Sequence, residues 1–327
     1  MNIADYKGLM VFAEQRGGKI HPVSYELLGK GTELASQLGI EVSAVVLGNN
    51  LGDEVNELFY YGAQKVYYCD HPKLAGFDLL NYKHNIVRII NDVKPETVLF
   101  GATHLGRSLA PRIAAALGTG LTADCTALEI GDEGNLVQIR PAFSGNIFAH
   151  IRTTTRPQMA TVRYKVMKSL PRDTSRTGQV VKVEPEIVDS VLKVVNKESA
   201  GGLNIAEADV IVCGGRGLKQ AQDFDILTDL ADALGGVVGC TRPIVDEGWM
   251  EKSHQVGFSG NTVKPKLYVA VGLSGSPQHL AGMRDSDVIL AINSDPSAPI
   301  FKVADYGIVG DLYEVVPKLA AEVRQRS

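Results

Sequence analysis

The chain reads as an α/β protein of two domains: an N-terminal α/β domain with a parallel sheet and an antiparallel annex, then a C-terminal doubly wound α/β domain. Three observations predict this. Apolar β-rich runs alternate with helical patterns from the first residues, which is the rhythm of βαβ units. The rhythm changes after Gly120 and restarts at Asp209. A chain of 327 residues, 45% of them hydrophobic, can also bury more than one core.

The elements follow in order. GLMVFAEQ is a strand, SYELLGKGTELASQLG a helix and VSAVVLG a second strand; GDEVNELFYYG then leads as a helix into the strand KVYYCD. FDLLNYKHNIVRIINDVKP, TVLFGA and LGRSLAPRIAAALG supply another cycle, and the whole implies a parallel sheet covered on both faces. After Gly120, LVQIRPAF, NIFAHIRTTT and QMATVRY show period two between turn residues, predicting an antiparallel annex or a sheet extension. Residues 171–208 read as the exit. Glycine, charge and small polar residues cluster at 196–204, which predicts a linker between domains 1–195 and 205–327 and lets the second domain move as a body. Beyond it DVIVCGGRGLKQAQDFDILTDLADALGG is a strand, a glycine turn and a helix. VVGCTRP, KLYVAVG, DVILAIN and YGIVGD are further buried strands, and Leu312–Arg326 is a closing amphipathic helix.

Composition narrows the function. The formal charge is −4, and the deficit sits in residues 200–327, which carry 11 basic against 16 acidic side chains. Nucleic acid is a poor partner for such a surface, because phosphate binding along a footprint needs an excess of Lys and Arg. No apolar run approaches the roughly 18 uncharged residues of a membrane span, and MNIADYKGLM lacks the layout of a signal peptide. The expectation is a soluble cytoplasmic protein, or a mitochondrial-matrix one in a eukaryote, although no transit peptide is seen. Cys69, Cys125, Cys213 and Cys240 lie far apart with no C-x-x-C, so they read as buried small hydrophobes rather than metal ligands. His21, His71, His84, His150 and His254 have no companions at metal spacing.

Chemistry concentrates in glycine loops at strand ends. In open α/β sheets ligands bind beyond the carboxyl ends of the strands, and loops 214–217, 272–275 and 307–310 all fall there. VAVGLSGSPQHLAGM, from Val269 to Met283, is a strand running into a loop that is almost all backbone, closed by a Pro-Gln-His. Glycines there let main-chain N–H groups approach an anion. Gly214-Gly215-Arg216-Gly217 opens like a dinucleotide fingerprint, but Gln220 stands where the third glycine belongs. Gly29-Lys30-Gly31-Thr32 lacks the upstream glycine of a phosphate loop and sits inside a helical pattern. Gly101-Ala102-Thr103-His104-Leu105-Gly106-Arg107 could hold an anion, yet capping a helix is the commoner fate of such a turn.

Several motifs recur in one order: Cys240-Thr241-Arg242-Pro243, Gln255-Val256-Gly257-Phe258-Ser259-Gly260, Ser274-Gly275-Ser276-Pro277-Gln278-His279, Ala291-Ile292-Asn293-Ser294-Asp295-Pro296 and Val303-Ala304-Asp305-Tyr306-Gly307-Ile308-Val309-Gly310-Asp311. With the N-terminal GATHLGRSLAPRIAAALGTGLTADC, the chain resembles the α subunit of electron-transfer flavoprotein along its whole length. The resemblance implies an FAD in the C-terminal domain, its pyrophosphate on main-chain groups and small hydroxyls at Ser274 and Gly275. Gln278 and His279 match a pair reaching the flavin, the imidazole lying near the pyrimidine carbonyl. Arg242 matches an arginine packed on the isoalloxazine, Ser259 a hydroxyl beside N5, and Asn293 and Asp311 residues at the adenosine end. Arg216, Gly217, Thr241, Gln255, Gly257 and Gly260 complete the implied cofactor set.

The resemblance further implies a heterodimer with a β subunit and no catalytic residue or metal of the chain's own. It implies dehydrogenase donors such as acyl-CoA dehydrogenases, and a quinone oxidoreductase or ferredoxin-linked acceptor. An NADH-dependent bifurcating system with a second FAD is the other possibility within the family. Flavin chemistry is consistent with the resemblance. Reducing a flavin puts negative charge on its N1–C2=O side, so a nearby imidazole or guanidinium favours the reduced states. Two other readings stand beside it: a nicotinamide-dependent oxidoreductase on the same fold, disfavoured by the missing third glycine, and a non-redox adenine-nucleotide scaffold.

Overall fold

A computed structural model of the protein describes residues 3–142, 147–189 and 204–326. The chain divides into two compact units, residues 1–195 and 196–327. The expected linker at 196–204 lies, apart from Asn204, outside the described residues.

In the first unit β1 (Leu9–Phe12) leads through a tight hairpin, β2 (Gln15–Arg16) and β3 (Lys19–Ile20), into α1 (Pro22–Leu38). Then come β4 (Val42–Gly48), α2 (Glu54–Tyr60), β5 (Lys65–Asp70), α3 (Leu79–Val93), β6 (Thr97–Gly101) and α4 (His104–Leu117). Next are β7 (Leu121–Cys125), β8 (Ala127–Ile130), β9 (Leu136–Ala142), β10 (Ile147–Arg152), β11 (Gln158–Val162) and β12 (Gln179–Lys182). Seven strands form one sheet in the order β12-β5-β4-β1-β6-β11-β7, every pairing parallel. Successive strand residues face opposite sides. Val11, Ala44 and Val46 pack on one face with Leu27 and Leu34 of α1, while Met10, Phe12, Val45 and Leu47 pack on the other with α3 and α4.

Two expectations change here. LVQIRPAF and NIFAHIRTTT supply β9 and β10, which with β8 form the antiparallel annex, but QMATVRY becomes β11 and inserts as a parallel strand between β6 and β7. All five residues of β11 are buried, so its polar Gln158 and Thr161 imitate a half-exposed alternation that the sheet does not have. The exit segment adds an edge strand, β12, alongside β5. Gly29-Lys30-Gly31-Thr32 is interior to α1, and Gly29 lies where a Cβ would meet the Lys168 carbonyl at 2.4 Å. The 101–107 turn caps α4: the Thr103 hydroxyl accepts from the Gly106 amide at 3.1 Å.

The second unit contains β13 (Val210–Gly214), α5 (Phe224–Ala233), β14 (Val237–Cys240), α6 (Arg242–Asp246), β15 (Leu267–Val271), α7 (Pro277–Leu280), β16 (Ile289–Asn293), β17 (Tyr306–Val309) and α8 (Leu312–Arg326). Its five strands are all parallel, in the order β14-β13-β15-β16-β17. Val212, Val269 and Val271 pack with α5 and α8. Ile211, Cys213, Tyr268 and Ala270 face the other side, covered by Val256, Leu273, Met283 and Ile300 from loops and short turns. The chain leaves β13 outward to β14 and returns to β15 on its other side. That reversal opens a crevice beyond the carboxyl ends of β13 and β15.

Candidate functional site

The crevice is framed by loops tied to one another through main-chain hydrogen bonds. Gly215 donates to Val271 O at 3.1 Å and Gly217 to Gly272 O at 2.7 Å, so the loops after β13 and β15 lie backbone to backbone. Thr241 N reaches Gly214 O at 3.0 Å, and Val256 N reaches Cys240 O at 2.9 Å. Phe258 N donates to Gln278 O at 2.8 Å, Ile300 N to Ser274 O at 3.0 Å and Gly310 N to Asn293 O at 3.1 Å. The residues implied by the sequence therefore line the carboxyl edge of a single sheet.

At its centre lies a set of unspent donors. Among the described residues, the amides of Ser274, Gly275 and Ser276 find no acceptor within the chain. Ser274 and Ser276 are exposed and Gly275 is buried between them in a left-handed conformation, φ +81°. Three consecutive free N–H groups, with a serine hydroxyl at each end, supply donors of the kind that bind anions. Arg216, after β13, and Arg242, after β14, are exposed guanidinium groups on neighbouring loops. Among the described residues Arg242 pairs with Asp246, 3.4 Å away on the same helix; both side chains are mostly exposed, and such a pair is easily exchanged. Amides, hydroxyls and guanidinium groups are the donor chemistry that an esterified pyrophosphate requires, so the residues present fit FAD.

Other implied residues are spent inside the chain. Gly217 cannot offer its amide, and a Cβ on it would lie 2.7 Å from Gly272 Cα; its lack of a side chain serves loop–loop packing. Gln255 is buried and donates to the Ser259 hydroxyl at 3.0 Å, fixing an exposed serine from beneath. Gly257 (φ +145°) and Gly260 face the Gln278 and Gln255 carbonyls. Asn293 donates from Nδ2 to Leu273 O at 2.9 Å, bracing the cradle loop. Asp311 accepts from Tyr313 N at 2.9 Å at the start of α8. Thr241 precedes α6 without a side-chain capping bond. Gln278 is exposed.

His279 departs from expectation. A ring nitrogen free for the flavin is not what the structure has: Nδ1 lies 3.1 Å from Val256 O, Nε2 lies 3.0 Å from the Tyr268 hydroxyl, and the residue is 5% exposed. Burial pulls its pKa from 6.5 down to about 4, and the Val256 carbonyl opposes this only in part. The buried imidazole is thus neutral at pH 7. The consequence is a pH-dependent stability of known sign. The unfolded chain takes up the proton first as the pH falls, so stability is complete above pH 6.5 and is lost towards pH 4. The loss across that window is about 3 kcal/mol, at about 1.4 kcal/mol per pKa unit. Urea unfolding of the wild type should show this slope and His279→Gln should lack it; equal slopes in the two proteins contradict the buried neutral state.

Four supporting features left little trace in the sequence. Ile300 packs on Gly275, its N 2.6 Å from where a Cβ would be. Gly272, at φ +59°, fills the space beside Gly217. Tyr313 of α8 hydrogen-bonds Asp223, and both accept from the Lys219 amide, which holds the loop after β13 against α8. Tyr268 underlies His279. Only Gly272 belongs to a pattern readable in advance, the glycine run after a strand.

Comparison with known proteins agrees with this geometry. The profile described as "Electron transfer flavoprotein domain" matches residues 9–188, and the one described as "Electron transfer flavoprotein FAD-binding domain" matches residues 204–284. The chain is 49% identical to the electron transfer flavoprotein subunit alpha of Thermoanaerobacterium thermosaccharolyticum, over 98% of this chain and 99% of that one. It is 47% identical to the lactate dehydrogenase (NAD(+),ferredoxin) subunit LctC of Acetobacterium woodii, over 96% of this chain and 76% of the other. With the protein FixB of Rhizobium meliloti it shares 42% identity, over 98% and 94% of the two chains.

Proposed function

The chain belongs to the electron transfer flavoprotein α-subunit family, with FAD as its cofactor, and we propose that it serves as the FAD-holding half of an electron-carrying heterodimer with a β subunit. The observation that carries the reading is the cradle of three unspent amides at 274–276, at the switch point of the second sheet. FAD, when bound, supplies one- and two-electron redox chemistry, and the protein binds, orients and tunes it. In this account Ser274, Gly275 and Ser276 receive the pyrophosphate. Arg242 lies against the ring system and Ser259, held by Gln255, presents its hydroxyl to it. Gln278 closes the same side, and Asn293 and Asp311 frame the adenosine end. His279 braces the loops as a neutral group. No substrate pocket is needed, because the second reactant is another protein's redox centre.

Among the described residues no helix is long and apolar enough to cross a membrane, and we place the heterodimer in the cytoplasm. Its donors are dehydrogenases; acyl-CoA dehydrogenases with fatty acid oxidation, passing electrons towards a quinone pool, are one setting. The likeness to LctC, whose name couples lactate, NAD+ and ferredoxin, favours a second, in which the heterodimer works inside a bifurcating complex. Counting FAD in the purified heterodimer tests both. One FAD with one AMP supports the simple carrier, two FAD support bifurcation, and a heterodimer that takes up no FAD on reconstitution contradicts the proposal.

A further inference from the structure

We infer that Glu14 is a specificity-determining residue of the first unit: its carboxylate fills, from within the chain, the anion seat at the switch point of the first sheet, so that this unit takes up no phosphate-bearing ligand. The inference goes beyond the cofactor reading and stands whatever the second unit binds.

The seat follows from the topology. From β1 the chain runs outward to β4 and β5, and with β6 it begins the other side, so the sheet reverses between β1 and β6. A parallel sheet holds its ligand beyond the carboxyl ends of such a pair of strands. Donors converge there. Among the described residues the amides of His104 and Leu105, in the first turn of α4, find no acceptor. The Thr103 hydroxyl caps that turn, and the Arg16 guanidinium comes in from the hairpin after β1. Amides, a hydroxyl and a guanidinium are the same donor chemistry that the second unit presents.

Glu14 occupies the point where these donors meet. It is 1% exposed; Oε2 accepts from the Thr103 hydroxyl at 2.5 Å and Oε1 from Arg16 Nε at 2.8 Å. Thr103 in turn accepts from the Gly106 amide, which ties the carboxylate to the start of α4. The backbone beneath is fixed. Glu14 N donates to the Ser24 hydroxyl at 3.0 Å, and Glu14 O accepts from His21 N at 2.8 Å. The next residue, Gln15, is buried and donates to Ala75 O at 3.1 Å and to the Tyr82 hydroxyl at 2.9 Å. The turn itself is tight: a Cβ on Gly106 would lie 1.9 Å from Gly101 O, and one on Gly101 2.8 Å from the Val23 side chain. Arg107, also in the first turn of α4, faces another internal carboxylate, Asp124, at 3.6 Å, and Arg163 holds that carboxylate at 2.7 Å. An arriving phosphate would therefore have to displace a buried, hydrogen-bonded carboxylate or share its place against like charge. The loop at the second switch point differs in this respect, since its amides at 274–276 stand open.

The test uses the FAD-loaded αβ heterodimer, with hydrogen exchange read at residues 103–107 and chloride at equal ionic strength as the control. In the wild type, added pyrophosphate should leave exchange there unchanged, because Glu14 holds the seat. Glu14→Ala vacates it. Exchange of the Gly106 amide should then quicken by roughly tenfold or more, the equivalent of a lost hydrogen bond to a charged group. Formate, a carboxylate small enough for the empty place, should slow it back towards the wild-type rate. Glu14→Gln keeps the seat filled, so formate should not alter its exchange. Should Glu14→Ala fail to assemble, assembly itself becomes the readout, and formate in the refolding buffer should restore it. Protection of 103–107 by pyrophosphate in the wild type overturns the inference. A Glu14→Ala protein on which formate acts no better than chloride overturns it too, as does a formate effect equally large in Glu14→Gln.

Discussion

Gly275→Val is expected to leave the protein without FAD and to destabilise its second unit by about 3 kcal/mol or more. Two independent penalties combine. Gly275 has φ +81°, a conformation that a β-branched residue adopts only under strain, and a Cβ would lie 2.6 Å from Ile300 N and 2.7 Å from Ile300 Cα. Neither neighbour is the end of a flexible side chain. Ile300 N is also bonded to Ser274 O, so relieving the clash breaks the bond that shapes the cradle. Gly235 separates the two penalties: it has φ +65° with nothing within 4 Å of a Cβ. Gly235→Ala should cost only about 1 kcal/mol and keep its FAD. Flavin content and urea unfolding of the two variants measure the difference, and a Gly275→Val protein with normal flavin content removes the cradle from the account.

Arg242→Ala should keep FAD yet lower the potential of its first electron by about 40–130 mV. A guanidinium stays charged at any working pH, so beside a flavin it is a permanent positive field that favours the reduced states. One such partly screened charge is worth on the order of 1–3 kcal/mol at an effective dielectric of roughly 20–40, and about 59 mV corresponds to a tenfold change for one electron. The structure strengthens this prediction by taking His279 out of competition: with a neutral, buried imidazole, the positive charge of the proposed site comes from the guanidinium groups of Arg242 and Arg216. Arg242→Lys should recover only part, because an ammonium cannot lie flat on a ring. Spectroelectrochemical titration of the heterodimer gives the potentials. Loss of FAD with normal potentials in what remains assigns Arg242 to anchoring.

Much of the architecture was legible because hydrophobic periodicity is a local signal. Strands such as VSAVVLG, buried at every position, and helices such as α3 between its Asp78 cap and left-handed Lys94 announce themselves within a few residues. The placement of β11 was not, since whether QMATVRY pairs with the annex or inserts between β6 and β7 depends on partners far along the chain. The glycine loops were legible as loops, but their glycines serve different ends. Gly217 and Gly272 make room for each other and Gly275 makes room for Ile300, packing partners that the sequence pattern does not name. His279 shows the same limit. Its position in Ser-Pro-Gln-His marks the site, yet its protonation is decided by burial, opposed in part by the Val256 carbonyl, and both arise only in the folded sheet.

Hydrogen exchange across residues 273–278, in the heterodimer with and without FAD, bears most directly on the claim that the cofactor rests on this chain's second unit. Among the described residues the amides of Ser274, Gly275 and Ser276 have no acceptor, so without FAD they should exchange fast, and bound pyrophosphate should slow them markedly. Unchanged exchange there, with FAD-dependent protection confined to the 101–107 turn of the first unit or to the β subunit, contradicts it.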